Sequence, residues 1–206
     1  MKAILPDGLL FFHEREAVHM GRVAIFIDGG YLDKVVYYNH HNSRIDYEKL
    51  ASAMAAPDEL LRTYYYHCLP YQSNPPTEEE KQRFSGKQRF YYRLGLLPKF
   101  QVRLGKLVYR GTNQAGERIF VQKRVDTMVG VDMALLAGKA RITRLILLSG
   151  DSDLIPAIEA VKAEGVSVTL WHGAKTPYTA PSVELFNLCD ERRELTGEIA
   201  RGILRA

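Results

Sequence analysis

The chain has 206 residues, 46% of them hydrophobic and 25% charged, with a formal net charge of +4. A chain of this length buries roughly 70% of its unfolded surface, so one α/β domain is expected without a covalent staple. Its two cysteines, Cys68 and Cys189, belong to no CxxC pair, which excludes a zinc ribbon and a disulfide scaffold and fits a reducing cytoplasm.

Residues 1–20 are unlike the rest of the chain. One early Lys2 precedes an apolar stretch broken by Pro6 and Asp7, too short for a signal sequence. They read as a flexible leader, residues 21–195 as the domain and 196–206 as a C-terminal tail. No apolar run approaches the roughly 18 residues of a membrane span. Val23-Ala24-Ile25-Phe26-Ile27 is a continuous apolar run of the kind buried in parallel sheets, and predicts a strand over 22–28 that ends in Asp28-Gly29-Gly30. A helix begins at about Tyr31. A second covers Tyr47 to Met54, capped by Asp46 and closed by Pro57. Arg62 to Leu69, rich in aromatic residues, reads as a strand before the loop Pro70-Tyr71 and Asn74-Pro75-Pro76.

Thr77 and Glu80 have capping-box spacing and open a helix that runs to about Leu94, ahead of Gly95. Phe100 to Leu104 is a strand candidate. Lys106 to Arg110 and Arg118 to Gln122 flank Asn113 and Gly116 as a hairpin. Then come a helix over Val125 to Gly138, a strand over 143–149, a helix over 154–164 closed by Gly165, a strand over Val166 to Trp171 and a helix over Val183 to Leu195. This alternation predicts a mostly parallel sheet with helices on both faces.

Charge is unevenly spread. Between Lys81 and Arg124 there are twelve Lys or Arg and one acid, Glu117, so the rest of the chain is net acidic. Such a split points to a polyanion. Lys87, Arg89, Arg93, Arg103, Lys106, Arg110 and Lys123 are the candidate phosphate contacts. Phe84, Tyr91 and Leu94 follow helical spacing and read as core, which leaves Tyr92 or Tyr109 as exposed aromatics.

Leu145-Ile146-Leu147-Leu148-Ser149-Gly150-Asp151-Ser152-Asp153 repeats the grammar of the first strand: an apolar run that ends in acids. Open α/β sheets bind ligands just beyond the carboxyl ends of their strands, so Asp28, Asp151 and Asp153 are expected on one rim. Two carboxylates about 4 Å apart repel by roughly 4 kcal/mol at an effective dielectric near 20. A hard cation such as Mg²⁺ or Mn²⁺ offsets that, and shared protons are the other solution. Taken singly, an Asp after a strand reads equally well as a helix cap or turn former. Asp151 or Ser152 can cap the helix that Pro156 helps to start.

Asp126 and Asp132 lie six residues apart in one helix, about 120° around its axis, so they share no narrow face. Asp126 suits the first turn of a helix. Asp132 stands among Val131, Met133, Ala134, Leu135 and Leu136, where a core-facing carboxylate requires a partner; facing solvent is the alternative. In the loop from His172 to Ser182, Lys175, Thr176, Tyr178 and Thr179 read as solvated rather than as phosphate contacts. The histidines show no metal-ligand spacing, and Ser149 has no His and Asp pattern of a nucleophile.

Ile27-Asp28-Gly29-Gly30-Tyr31, then Gln122-Lys123-Arg124-Val125-Asp126 with Asp132, then Ser149-Gly150-Asp151-Ser152-Asp153-Leu154 resemble, in order, three motifs of NYN-domain proteins of the PIN-like nuclease superfamily, in a bacterial branch. The resemblance spans about residues 22 to 171. It implies a three-layer α/β/α sandwich, PIN-like and Rossmann-like, whose acids bind Mg²⁺ or Mn²⁺ to cleave RNA, leaving a 5′-phosphate and a 3′-hydroxyl. Asp28, Asp132, Asp151 and Asp153 would be ligands or water-orienting groups, with Asp126 as a further ligand. Single-stranded RNA is the expected partner, no membrane is involved, and a homodimer stays open. Many relatives carry Asn shortly after the first Asp-Gly, where this chain has Gly30-Tyr31. That departure keeps two other readings open: an RNA-binding or regulatory module without turnover, and a small phosphate-ester hydrolase. The last is weakened because there is neither an Asp-x-Asp after the first strand nor a Gly-rich phosphate loop.

Overall fold

A computed structural model describes residues 21–204, so the expected leader lies outside the described residues. The two most apolar runs form the centre. β1 (Arg22–Asp28) and β5 (Arg144–Leu148) pair in parallel, from Val23 against Arg144 to Ile27 against Leu148. β2 (Glu59–Cys68) and β3 (Phe100–Thr112) continue the parallel sheet beyond β1, and β6 (Ser167–His172) and β7 (Glu191–Glu194) continue it beyond β5. β4 (Arg118–Lys123) closes one edge antiparallel to β3. The order is β4-β3-β2-β1-β5-β6-β7. It reverses between β1 and β5, and at such a switch point a doubly wound sheet opens a crevice.

Successive strand residues face opposite sides, so the central strands serve two cores. Val23, Ile25, Ile27, Ile146 and Leu148 pack with residues of α1 (Gly29–Asn39), α2 (Tyr47–Ala55), α3 (Glu78–Gly95) and α7 (Gly197–Ile203). Ala24, Phe26, Leu145 and Leu147 pack with α4 (Val125–Gly138), α5 (Ile155–Ala163) and α6 (Val183–Leu188). The expected three-layer α/β/α sandwich is therefore the fold. Local signals hold at the helix starts: Asp46 accepts from the amides of Glu48 and Lys49, and Thr77 and Glu80 complete their reciprocal capping box. Among the described residues no helix is long and apolar enough to cross a membrane.

Two elements differ from expectation. The helix expected over 183–195 stops at Leu188, and Glu191–Glu194 adds the edge strand β7. The Arg192 guanidinium explains the stop, because it donates to the carbonyls of Phe186 at 2.6 Å and Asn187 at 2.9 Å, neutralising the orphan acceptors at the helix end. The separate strands expected over 100–104 and 106–110 are one thirteen-residue strand, parallel to β2 and then antiparallel to β4. Gly105 sits at the crossover, where a Cβ would lie 2.6 Å from the Lys123 carbonyl. In the C-terminal segment, α7 buries Ala200 and Ile203, and the Asp46 amide donates to the Ile203 carbonyl at 2.7 Å.

Candidate active site

Asp28 ends β1 and caps α1: its Oδ1 accepts from the amides of Gly30 at 2.9 Å and Tyr31 at 3.1 Å. Asp151 follows β5 and caps a single 3-10 turn over Ser152–Leu154, its Oδ1 accepting from the Asp153 amide at 3.0 Å. The buried Ser149 hydroxyl accepts from the Asp151 amide at 3.2 Å, so Ser149 shapes the turn. Capping and clustering are thus not rivals here. Each Asp spends Oδ1 on the backbone, and these bonds do not engage the Oδ2 atoms.

The electrostatics define the group. Burial, with the Asp151 charge adding to it, raises the Asp28 carboxyl above its ordinary value against the pull of the Tyr31 and Gly30 amides and of His67. Asp126, exposed in the first turn of α4, is also raised: first by the desolvation its neighbours impose, then by the charges of Asp151, Asp28 and Asp153. Four carboxylates from three parts of the chain therefore act on one another. All are hard oxygen donors, a set suited to Mg²⁺ or Mn²⁺. Among the described residues no three His, Cys, Asp or Glu side chains are placed to hold one ion together. A cation at this rim would therefore take one or two carboxylates and keep several waters, which is the habit of Mg²⁺.

Asp132 stands apart from this group. Its Oδ1 accepts from Arg103 at 3.1 Å and its Oδ2 from the Tyr66 hydroxyl at 2.8 Å. Six residues at 1.5 Å each carry it about 9 Å along α4 from Asp126. Asp126 is thus coupled to the other three acids, whereas Asp132 is a partly buried charge satisfied by its neighbours. Arg103, expected as a phosphate contact, is occupied by the same pair.

The sheet divides the other basic candidates. Lys87, Arg89 and Arg93 line a groove on the α1 and α3 side. Lys106 and Lys123 line a smaller concavity with Arg124 against α4, and Arg110 is exposed on the β3–β4 hairpin. As expected, Tyr91 and Leu94 are buried, and Tyr92 and Tyr109 lie outside.

Three neighbours of the cluster were given no role by the sequence reading. His67, at the end of β2, meets Asp33 of α1 at 3.3 Å through Nε2 and lies close beside Gly29. Its Nδ1 lies 2.7 Å from the Cys68 amide nitrogen and 3.0 Å from the Cys68 carbonyl, while its Nε2 faces the Asp33 carboxylate. Burial pushes the Asp33 carboxyl up, but the His67 hydrogen bond and the Lys87 charge bring it below its ordinary value. The Gln122 amide nitrogen reaches over Gly30. No spacing in the sequence joins residues 33, 67 and 122.

Tyr31 holds the neighbouring loop. Its hydroxyl donates to the Thr179 carbonyl at 2.6 Å and accepts from the Gly173 amide at 3.0 Å, clamping the loop after β6 from inside the protein. A Cβ on Gly150 would lie 2.6 Å from the Tyr31 ring, so the glycine of Ser-Gly-Asp makes room for it.

The family model of the NYN domain matches residues 22–194. None of the curated proteins compared is significantly similar. A solved protein of unknown function from Vibrio parahaemolyticus is 19% identical, with 92% of this chain and 99% of that one aligned at a TM-score of 0.58, which supports the fold. The CheB methylesterase catalytic domain of Thermotoga maritima aligns over 90% of this chain and 98% of its own at 15% identity and a TM-score of 0.40, too distant to bear on fold or activity.

Proposed function

This chain belongs to the NYN domain family, a PIN-like nuclease family, and from that premise we propose that it is a divalent-cation-dependent endoribonuclease whose catalytic carboxylates are Asp28, Asp126, Asp151 and Asp153. The reading is supported by the electrostatic coupling of these acids beside the switch point of the sheet, where Asp126 feels the charges of Asp28, Asp151 and Asp153, and a cation would relieve their repulsion. Asp28 and Asp151 would hold a divalent cation, which would supply Lewis acidity toward the scissile phosphate and the attacking water. Asp28 needs no reorganisation, because two backbone amides already fix it. Asp126, with its raised carboxyl, is the group suited to accept the proton of the attacking water. Asp153 orients that water from the exposed side of the rim.

The test uses labelled single-stranded RNA with Mn²⁺, Mg²⁺ or EDTA. Cleavage is expected only with a cation, and Asp28→Asn, Asp126→Asn and Asp151→Asn should each lose about 10²–10³-fold, the scale of one charge-stabilising group. Asp132→Asn should keep the cation dependence. Full activity in Asp126→Asn, with folded but inactive Asp132→Asn, sinks the assignment.

A second reading is favoured by Tyr31. Where many relatives present an Asn amide, this side chain is committed to the interior, and no three-ligand cluster is assembled among the described residues. An RNA-binding module without turnover would hold RNA in the same assay and never cut it.

A further inference from the structure

Between α1, the loop after it and α3 runs an open groove of about 1010 Å³. That is at or above the ~300–1,000 Å³ of sites for single small ligands. Lys34, Arg44, Lys87, Arg89 and Arg93 line it against one acid, Asp33. Lys87 is paired with Asp33, whereas among the described residues no ion pair engages Lys34, Arg44, Arg89 or Arg93. Four free cations along one trough form a polyanion track.

The wall also carries exposed aromatics. α1 buries Leu32, Val35 and Val36, while Tyr37 and Tyr38 are 61% and 48% exposed. Tyr37 meets Tyr38 edge-on at 4.9 Å, and Tyr38 stacks on Tyr178 at 4.4 Å and 8°. Tyr178, itself exposed, belongs to the loop after β6, so the row leads to the carboxyl edge of the sheet. Asp33, also in the groove, hydrogen-bonds His67 beside Gly29, which links the trough to the acid rim. The smaller basic concavity against α4, by contrast, has no aromatic in its lining.

We infer that this groove seats a single-stranded RNA and leads it to the acid cluster. Its cations hold successive phosphates, and Tyr37 and Tyr38 stack on unpaired bases. A duplex hides its base faces and leaves the tyrosines nothing to stack on. The inference rests on the nuclease reading for its destination, but its own evidence lies outside the rim.

The test is fluorescence anisotropy of the whole chain with an oligouridylate of about 16 nucleotides, in EDTA, across a salt series. Arg89→Ala with Arg93→Ala should weaken binding and flatten the slope of log affinity against log salt by about 1.4, from about 0.7 per lost cation. Tyr37→Ala with Tyr38→Ala should weaken it about tenfold or more with the slope kept. Lys139→Ala with Arg141→Ala, past the far end of α4, should change nothing, and circular dichroism confirms that all variants are folded. Unchanged affinity in both groove variants overturns the proposal. So does equal binding of a matched duplex together with a neutral tyrosine variant. Binding lost in the groove variants while wild-type protein never cleaves with Mn²⁺ upholds the groove and removes the nuclease reading; cleavage with groove variants unaffected does the reverse.

Discussion

Asp28 shows how one side chain can serve the scaffold and, on the proposed reading, the chemistry. Asn caps helices as well as Asp does, so Asp28→Asn keeps the start of α1 and deletes only the charge. Because the fold raises the wild-type carboxyl, its charged form is disfavoured there, and stability falls as pH rises from the ordinary carboxylate range toward the folded value. The variant escapes that loss. In EDTA near neutral pH it should melt a few degrees higher than wild type, the response of a chain this long to about 1 kcal/mol. The gap should close below about pH 4, where both side chains are neutral. Added Mn²⁺ should raise the melting temperature of wild type only. A less stable variant at neutral pH would mean that the crevice does not strain its acids. Asp132 makes the opposite case. Removing its carboxylate leaves Arg103 partly buried and unpaired, so Asp132→Ala should cost about 1–3 kcal/mol in urea unfolding and leave the Mn²⁺ response intact. From the sequence, six-residue spacing separated the two acids around the axis, but the partners of Asp132 on β2 and β3 come from distant positions that no local pattern reveals.

At the scale of elements, the legible features were those with local causes. Apolar runs gave the central strands, and Asp46, Thr77 with Glu80, and Pro156 marked helix starts where the structure has them. Glu191-Arg192-Arg193-Glu194 was unreadable as a strand because all four side chains are polar, and its pairing with β6 is a tertiary event. Arg124, before α4, adopts a left-handed φ of 75° that nothing in Lys-Arg-Val announces. The Tyr31 clamp is equally tertiary, yet it sets how firmly the loop after β6 is held. Tyr31→Phe deletes both hydrogen bonds and strands the buried Gly173 amide, so it should cost about 1–3 kcal/mol. Hydrogen exchange should quicken at Gly173 and Thr179 while the amides of β1 stay protected. Unchanged exchange in that loop would show that packing around the ring, and not the hydroxyl, holds it.

Across the whole molecule, one sheet carries two cores, and this determines how the protein comes apart. Phe26 and Leu147 face the α4 and α5 layer, while Ile25, Ile146 and Trp171 face the α1 and α2 layer, on strands hydrogen-bonded into one sheet. Neither layer can lose its strands while the other keeps them. Leu147→Ala opens a cavity in a side chain that is 1% exposed and should cost about 2–5 kcal/mol. Trp171, the only tryptophan, lies in the opposite core and reports on a region the substitution does not touch. In urea, its emission should nevertheless shift at the same lowered midpoint as the far-ultraviolet circular dichroism, with an unchanged slope. Two separated midpoints, with the tryptophan signal still at its wild-type position, would show that the layers unfold independently and that the acid rim, built from both, is held by less than the shared sheet implies.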